Sequence, residues 1–252
     1  MASSLVKPYT HHDKGERMTD LSELRFFATH EHDCGYLPEQ QARTIFVDPE
    51  AEIDAELYSE LSDLGFRRSG PHIYRPHCGA CKACIPIRLP VSDFAPTRSQ
   101  KRCLKRNAAL KVRKVDKISS PKHYALYERY INLRHADGDM YPPSFEQYTE
   151  FLTKEWNVTE FLEFYDGERL VAVSVIDHLQ AGISAIYAFF DPDDTKRSLG
   201  VFLIQRAQAM RLPYVYLGYW IKSCQKMRYK VDYRPFQIFV DKQWITVRDY
   251  KP

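Results

Sequence analysis

Apolar residues recur at Ile53, Leu57, Leu61 and Leu64, spacings of four, four and three that put one helical face against a core. They predict a helix over 50–64, and Gly65 is a natural C-terminal stop. Residues 66–96 lose that period and are rich in Pro, Gly and Cys, which predicts short strands and turns. The next segment predicts a basic helix from Ser99 to about Lys114. A helix over 121–135 follows, with Tyr124, Tyr127, Ile131 and Leu133 as candidate core contacts. Ser144 and Gln147 fit a capping box opening a helix through Leu152.

The pattern then becomes strand-like in three runs, 158–165, 169–178 and 183–190, joined by DGE and LQAG turns. A helix over roughly 198–211, a strand at 214–220 and a closing hairpin over 236–247 complete the chain. This order predicts an α+β fold built on one central sheet. Residues 1–17 are polar and aperiodic and read as a disordered extension, with Met18 an alternative start. The remainder divides into an N-terminal domain over 18–117, holding the Cys cluster and the basic segment, and a second domain over 118–252.

With 44% hydrophobic and 27% charged residues in 252, the chain can bury a core, and global disorder is excluded. Its formal charge of +3 hides an asymmetry. Residues 98–117 hold nine Lys or Arg against one Asp, so the rest carries a net charge of −5. One basic segment in a mildly acidic chain suits a polyanion, although a solvated helix has the same look. No run of about 18 apolar residues exists, so no membrane partner is expected. The N-terminus lacks the apolar stretch of a secretory signal, which predicts a cytoplasmic address. The sequence sets no oligomeric state.

Three further segments carry chemistry. Cys78, Cys81 and Cys84 form C-x-x-C-x-x-C, with Cys34 available as a fourth thiolate. Such spacing can hold zinc or part of an iron–sulfur cluster, or can be a set of reduced thiols without metal. Arg197 and Gly200 open the 198–211 helix in a turn able to offer backbone N–H groups to a phosphate. The bulky Val201 and Phe202 would crowd a coenzyme A pyrophosphate there. Finally, Lys222, Lys226, Arg228 and Lys230 lie among Tyr216, Tyr219, Trp220 and Tyr229, a mixture that suits stacking on a base beside phosphate contacts.

Five segments together carry a resemblance: CGYLPEQQARTIFVDP (34–49), YRPHCGACKACIPIRLPVSDFAPTRSQKR (74–102), the strand pair LVAVSVID and SAIYAFFDPD, RSLGVFLIQ (197–205), and LPYVYLGYWIKSCQKMRYKVDYRP (212–235). In them the chain resembles the bacterial aspartate/glutamate leucyltransferases, relatives of the eukaryotic arginyl-tRNA–protein transferases. The resemblance implies a GNAT-like catalytic domain behind a smaller Cys-containing N-terminal α+β domain. It implies transfer of leucine from leucyl-tRNA to the α-amino group of proteins beginning with Asp or Glu, feeding N-end-rule degradation. The first thiol stands in CGYL, without a second Cys two residues later.

That chemistry assigns roles. The donor ester is already activated, so no cofactor is required for the acyl transfer itself, and the enzyme mainly positions amine and ester. Tyr187, Asp191 and Tyr219 are candidate catalytic groups. The acceptor carboxylate needs a fixed cation, for which Arg88 is the first candidate and Lys226, Arg228 and Lys230 compete. The tRNA acceptor stem is expected along Arg98, Lys101, Arg102, Lys105 and Arg106, with its 3′ end near Arg197, Gly200 and Tyr216. Rival readings are arginyl transfer, a coenzyme A-dependent N-acetyltransferase, and a non-catalytic RNA-binding module.

Overall fold

The computed structural model describes residues 20–153, 156–194, 197, 204, 207–208 and 210–250. Strands β1 (Phe26–Ala28), β2 (His32–Asp33), β3 (Gln41–Ala42) and β4 (Thr44–Val47) precede helix α1 (Ala55–Asp63). Then come β5 (Arg67–Ser69), β6 (His72–Pro76), β7 (Ile85–Pro90), helix α2 (Arg98–Asn107), β8 (Lys111–Val115), α3 (Pro121–Arg134) and α4 (Phe145–Tyr148). The chain continues through β9 (Thr159–Asp166), β10 (Arg169–Leu179), β11 (Gly182–Phe190), β12 (Tyr214–Trp220), β13 (Phe236–Val240) and β14 (Gln243–Val247).

A four-stranded sheet has the order β1-β4-β6-β5, and an eight-stranded sheet runs β14-β13-β7-β12-β11-β10-β9-β8. The fold is thus α+β around one large sheet, and that sheet takes strands from both sides of the expected 117/118 division. The hairpin readings hold. The 158–190 meander forms β9–β11 through the two expected turns, and β12 spans the expected 214–220. In the closing hairpin, Asp241 and Lys242 both adopt positive φ, as a two-residue turn demands.

Local chemistry explains where boundaries moved. The first helix starts at Ala55 because the Asp54 carboxylate caps the Leu57 N–H at 2.7 Å. Gly65 ends it at φ +85°. The basic helix is shorter than its pattern predicts. Thr97 and Gln100 close a capping box at its start, it stops at Asn107, and Lys111–Val115 leaves as an edge strand beside β9. The β-branched Val112 and Val115 suit a strand there better than a helix. Ser144 caps Gln147 at 3.1 Å, but α4 lasts four residues before a π-type turn over Thr149–Thr153. Leu133 is a correction: it is 63% exposed, two residues from fully buried Ile131 and so on the other face of α3. The expected 198–211 helix falls mostly outside the described residues; Ile204, Ala207 and Gln208 are helical, and the first two are buried.

One core packs β7, β12 and β13 under Ile204 and Ala207, and a second packs α3 and α4 on β9–β11. A third joins α1 and the small sheet to Leu179 and Tyr216 of the large one. This last contact brings β5 up against the middle of the large sheet.

Candidate active site

The large sheet opens at its centre. β11 and β12 run parallel and pair only from Gly182–Ser184 to Tyr214–Tyr216. A register shift between Val175 and Ile176 bends β11's other ladder, and a second shift lies between Tyr216 and Tyr219 on the β7 side. Past Ser184 the strands part, so Ala185–Ala188 are only half-buried although β11 lies inside the sheet.

Arg67 of β5 reaches into that opening. Its guanidinium donates to Ser184 Oγ at 2.7 Å and to the Ala185 carbonyl at 2.6 Å. Across from it, Gly218 has φ +81°, and a Cβ there would stand 3.2 Å from Arg67 Nε. Among the described residues no carboxylate pairs with Arg67. Lys230 enters beside it, donating from Nζ to the Tyr219 carbonyl at 2.5 Å. Burial, reinforced by the charge of Arg67, pulls the Lys230 pKa down to about 7. Cys224 acts in the opposite direction.

Tyrosines wall the opening. Tyr74 and Tyr219 have ring centroids 6.1 Å apart, and Tyr130 meets Tyr187 at 6.5 Å. Burial raises the Tyr130 pKa to about 12. Tyr36 is 52% exposed, yet burial is the chief cause of its rise to about 12. The two agree if its ring lines a recess, surrounded by protein and still wet. Tyr229 combines the same exposure with a pKa raised by burial.

The expected site residues divide. Lys230 stands at the opening, and Tyr187 lines it with its hydroxyl on Met140 Sδ at 3.5 Å and its pKa raised by burial. Tyr219 gives the opening its backbone, whereas its hydroxyl donates to the Gly65 carbonyl at 2.8 Å. Asp191 is buried and bonded to Arg169 at 2.5 Å and Arg129 at 3.4 Å, which makes it an ion-pair anchor. Arg88 is committed elsewhere. It bonds Asp63 at 2.5 Å and Gln237 at 2.8 Å, and its guanidinium carbon is 3.6 Å from the Tyr214 ring centroid. The Tyr216 hydroxyl joins that group, 3.0 Å from Asp63. Arg197 is neutralised by Asp166 at 2.7 Å and by Asp194, and Gly200 lies outside the described residues. Lys226 pairs with Asp137 at 2.7 Å, and Arg228 is exposed.

Arg98, Lys101, Arg102, Lys105 and Arg106 all lie exposed on α2. Lys111, Arg113 and Lys114 of β8 extend the same basic surface along the sheet edge. Cys34, Cys78, Cys81 and Cys84 are free thiols in one neighbourhood, where burial and then the other thiols push Cys84 up to about 11. Among the described residues, however, no three or more His, Cys, Asp or Glu side chains are arranged to hold a metal ion. No described helix is long and apolar enough to cross a membrane.

The sequence reading missed Arg67, Tyr74, Tyr130 and Gly218. Arg67 sits beside Arg68 in the run RRSG, and nothing local separates the two. The only available signal for Gly218 was a glycine interrupting the aromatic run YVYLGYW.

Residues 32–102 match the family described as "Arginine-tRNA-protein transferase, N terminus", and residues 122–240 match "Arginine-tRNA-protein transferase, C terminus". An aspartate/glutamate leucyltransferase of Teredinibacter turnerae is 55% identical over 235 residues, covering 91% of this chain and 97% of that protein. A Saccharophagus degradans protein of the same name is 54% identical, covering 91% and 99%. One from Alcanivorax borkumensis is 55% identical, covering 90% and 96%. Among solved structures, L-PGS from Bacillus licheniformis gives a TM-score of 0.45 at 12% identity, covering 68% of this chain and 62% of that one, too slight a likeness to build on.

Proposed function

We propose the reaction from one premise: this chain belongs to the aspartate/glutamate leucyltransferase family. It moves leucine from leucyl-tRNA to the α-amino group of proteins beginning with Asp or Glu, and so marks them for N-end-rule degradation. The observation that carries the site is the opening between β11 and β12, which holds an arginine with no carboxylate partner among the described residues. A parallel pair that splays inside an otherwise antiparallel sheet also supports reading the large sheet as GNAT-like.

The chemistry asks little of the protein beyond placement. An α-amino group titrates near roughly 7.7–8.0, so part of it is already nucleophilic at neutral pH. Attack on the ester carbonyl forms a tetrahedral oxyanion, and collapse releases the 3′-hydroxyl of the tRNA. Beyond Ser184 the β11 edge turned toward β12 has no strand partner, which leaves backbone groups for the leucyl ester and its oxyanion. The walls of Tyr130, Tyr187 and Tyr229 suit the leucyl side chain or the terminal adenosine.

The test is transfer of labelled leucine and, separately, arginine from charged tRNA to peptides beginning with Asp, Glu, Lys or Met. Leucine on the Asp and Glu peptides alone is expected. Arginine in its place would reassign the donor. A second expectation concerns the basic face of α2 and β8. Arg102→Glu should weaken tRNA binding and reduce the slope of log K against log salt by about 1, the signature of one lost phosphate contact. A binding titration at several salt concentrations checks it; an unchanged slope removes Arg102 from the tRNA contact.

A further inference from the structure

The opening contains two cationic side chains in different states, and that difference identifies what it holds. Arg67 is half-buried, bonded among the described residues to a hydroxyl and a carbonyl, and carries a guanidinium, which keeps its charge in proteins. With two of its five N–H groups engaged, it keeps donors for an incoming anion. Lys230, from the short helix Gln225–Asp232, holds its Nζ on the Tyr219 carbonyl, one residue along β12 from Gly218. We infer that these two residues receive the acceptor's first residue: Arg67 binds its side-chain carboxylate, and Lys230 takes the proton from its α-ammonium. This inference rests on the leucyl-transfer reading and names the acceptor subsite within it.

A phosphate of the tRNA 3′ end would be the other occupant for a cationic recess. It would favour two fully charged cations, but burial and Arg67 depress Lys230 to about 7, so near neutral pH a large share of the Lys230 amine is uncharged beside the Arg67 guanidinium. An N-terminal Asp or Glu presents the complementary pair, a carboxylate and an ammonium within a few bonds. The groups facing Lys230 are the Arg67 guanidinium, Cys224 and the Tyr219 carbonyl. A neutral Lys230 donates one N–H to that carbonyl and keeps its lone pair for the ammonium proton.

The acceptor ammonium gives one proton to Lys230, and its nitrogen attacks the leucyl carbonyl carbon. The new C–N bond forms first, giving the tetrahedral oxyanion, and its collapse breaks the C–O bond to the tRNA 3′-oxygen. The second nitrogen proton goes to that oxygen, and Lys230 returns its proton to water.

The test combines binding with transfer in Arg67→Gln, Arg67→Lys and Lys230→Met proteins. Arg67→Gln should weaken calorimetric binding of an Asp-initiated peptide tenfold or more and erase its advantage over the Asn-initiated peptide. Arg67→Lys should recover part of that advantage. An Arg67→Gln protein that keeps the Asp over Asn preference, or loses both peptides equally, overturns the carboxylate assignment. In wild type, kcat/KM should rise as pH increases through about 7. In Lys230→Met, kcat should fall about a hundredfold with little change in KM, within the usual range for a general base. The deficit should shrink above pH 8, where the acceptor amine deprotonates unaided. A Lys230→Met profile parallel to wild type overturns the proton-acceptor role. If wild type transfers no leucine while Asp-peptide binding still depends on Arg67, the reaction reading fails and the carboxylate subsite stands.

Discussion

Replacing Asp177 with Ala is expected to destabilise the protein by about 3–5 kcal/mol, the cost of stranding a buried charge. Arg68 and Asp177 have side chains 1% and 0% exposed. Arg68 Nε and a terminal nitrogen donate to the two Asp177 oxygens at 2.7 and 2.8 Å. The Tyr58 hydroxyl adds a bond at 2.8 Å and Thr159 another at 2.7 Å. Burial opposes the charge on Arg68, yet the Asp177 contacts outweigh it and hold its pKa above the ordinary value.

These four residues come from α1, β5, β9 and β10, so the network joins the small sheet to the large one. It also fixes Arg68, the neighbour of Arg67, and thereby the direction from which Arg67 enters the opening. Urea unfolding of Asp177→Ala against wild type measures the effect. A loss below about 1 kcal/mol would mean that Arg68 finds another partner. The double change Arg68→Met with Asp177→Leu should cost much less, because it removes both charges together.

Gly182→Ala is expected to damage both fold and activity. A Cβ at Gly182 would lie 2.1 Å from the Tyr214 carbonyl oxygen and 2.8 Å from its carbon. Both are backbone atoms, so the contact is relieved only by moving β12 away from β11. The cost should reach about 3 kcal/mol, the upper end for overpacking. This is the root of the only parallel pairing in the large sheet among the described residues, where the opening begins. Protein that still folds should therefore transfer leucine about a hundredfold more slowly, since a displacement near 1 Å can cost that much. Unfolding and transfer assays on the same preparation check both parts. Full activity would show that the opening tolerates a shift of β12.

The sequence made some of this architecture plain and concealed the rest for physical reasons. The β9–β11 meander was legible because its alternation and turns are local, and its partners are adjacent in the chain. β7 was not. It lies in the stretch read only as short strands and turns, and its Pro86 and Pro90 are tolerated in a central strand because β13 pairs only with Ile87 and Arg88 between them. Arg88 was the first candidate for the acceptor cation, whereas the subsite proposed above is built on Arg67. Arg88 looked suitable beside the Cys cluster, but Asp63, Gln237, Tyr214 and Trp244 enclose it. Arg67 becomes significant only when α1 and β5 dock against Ser184 and Gly218, more than a hundred residues away. The basic helix kept its exposed cations while losing its last turns to an edge strand.

The position of β7 also bears on how the chain is made. Its neighbours β12 and β13 begin at Tyr214 and Phe236, more than 120 residues after β7 ends. At roughly 5–20 residues per second, a ribosome needs about 6–25 s to deliver β12. Throughout that interval IPIRLP waits with both edges bare beside an unfinished sheet. Pro86 and Pro90, an even number of residues apart, remove donors from the same edge of the strand and make that edge a poor template for the wrong partner.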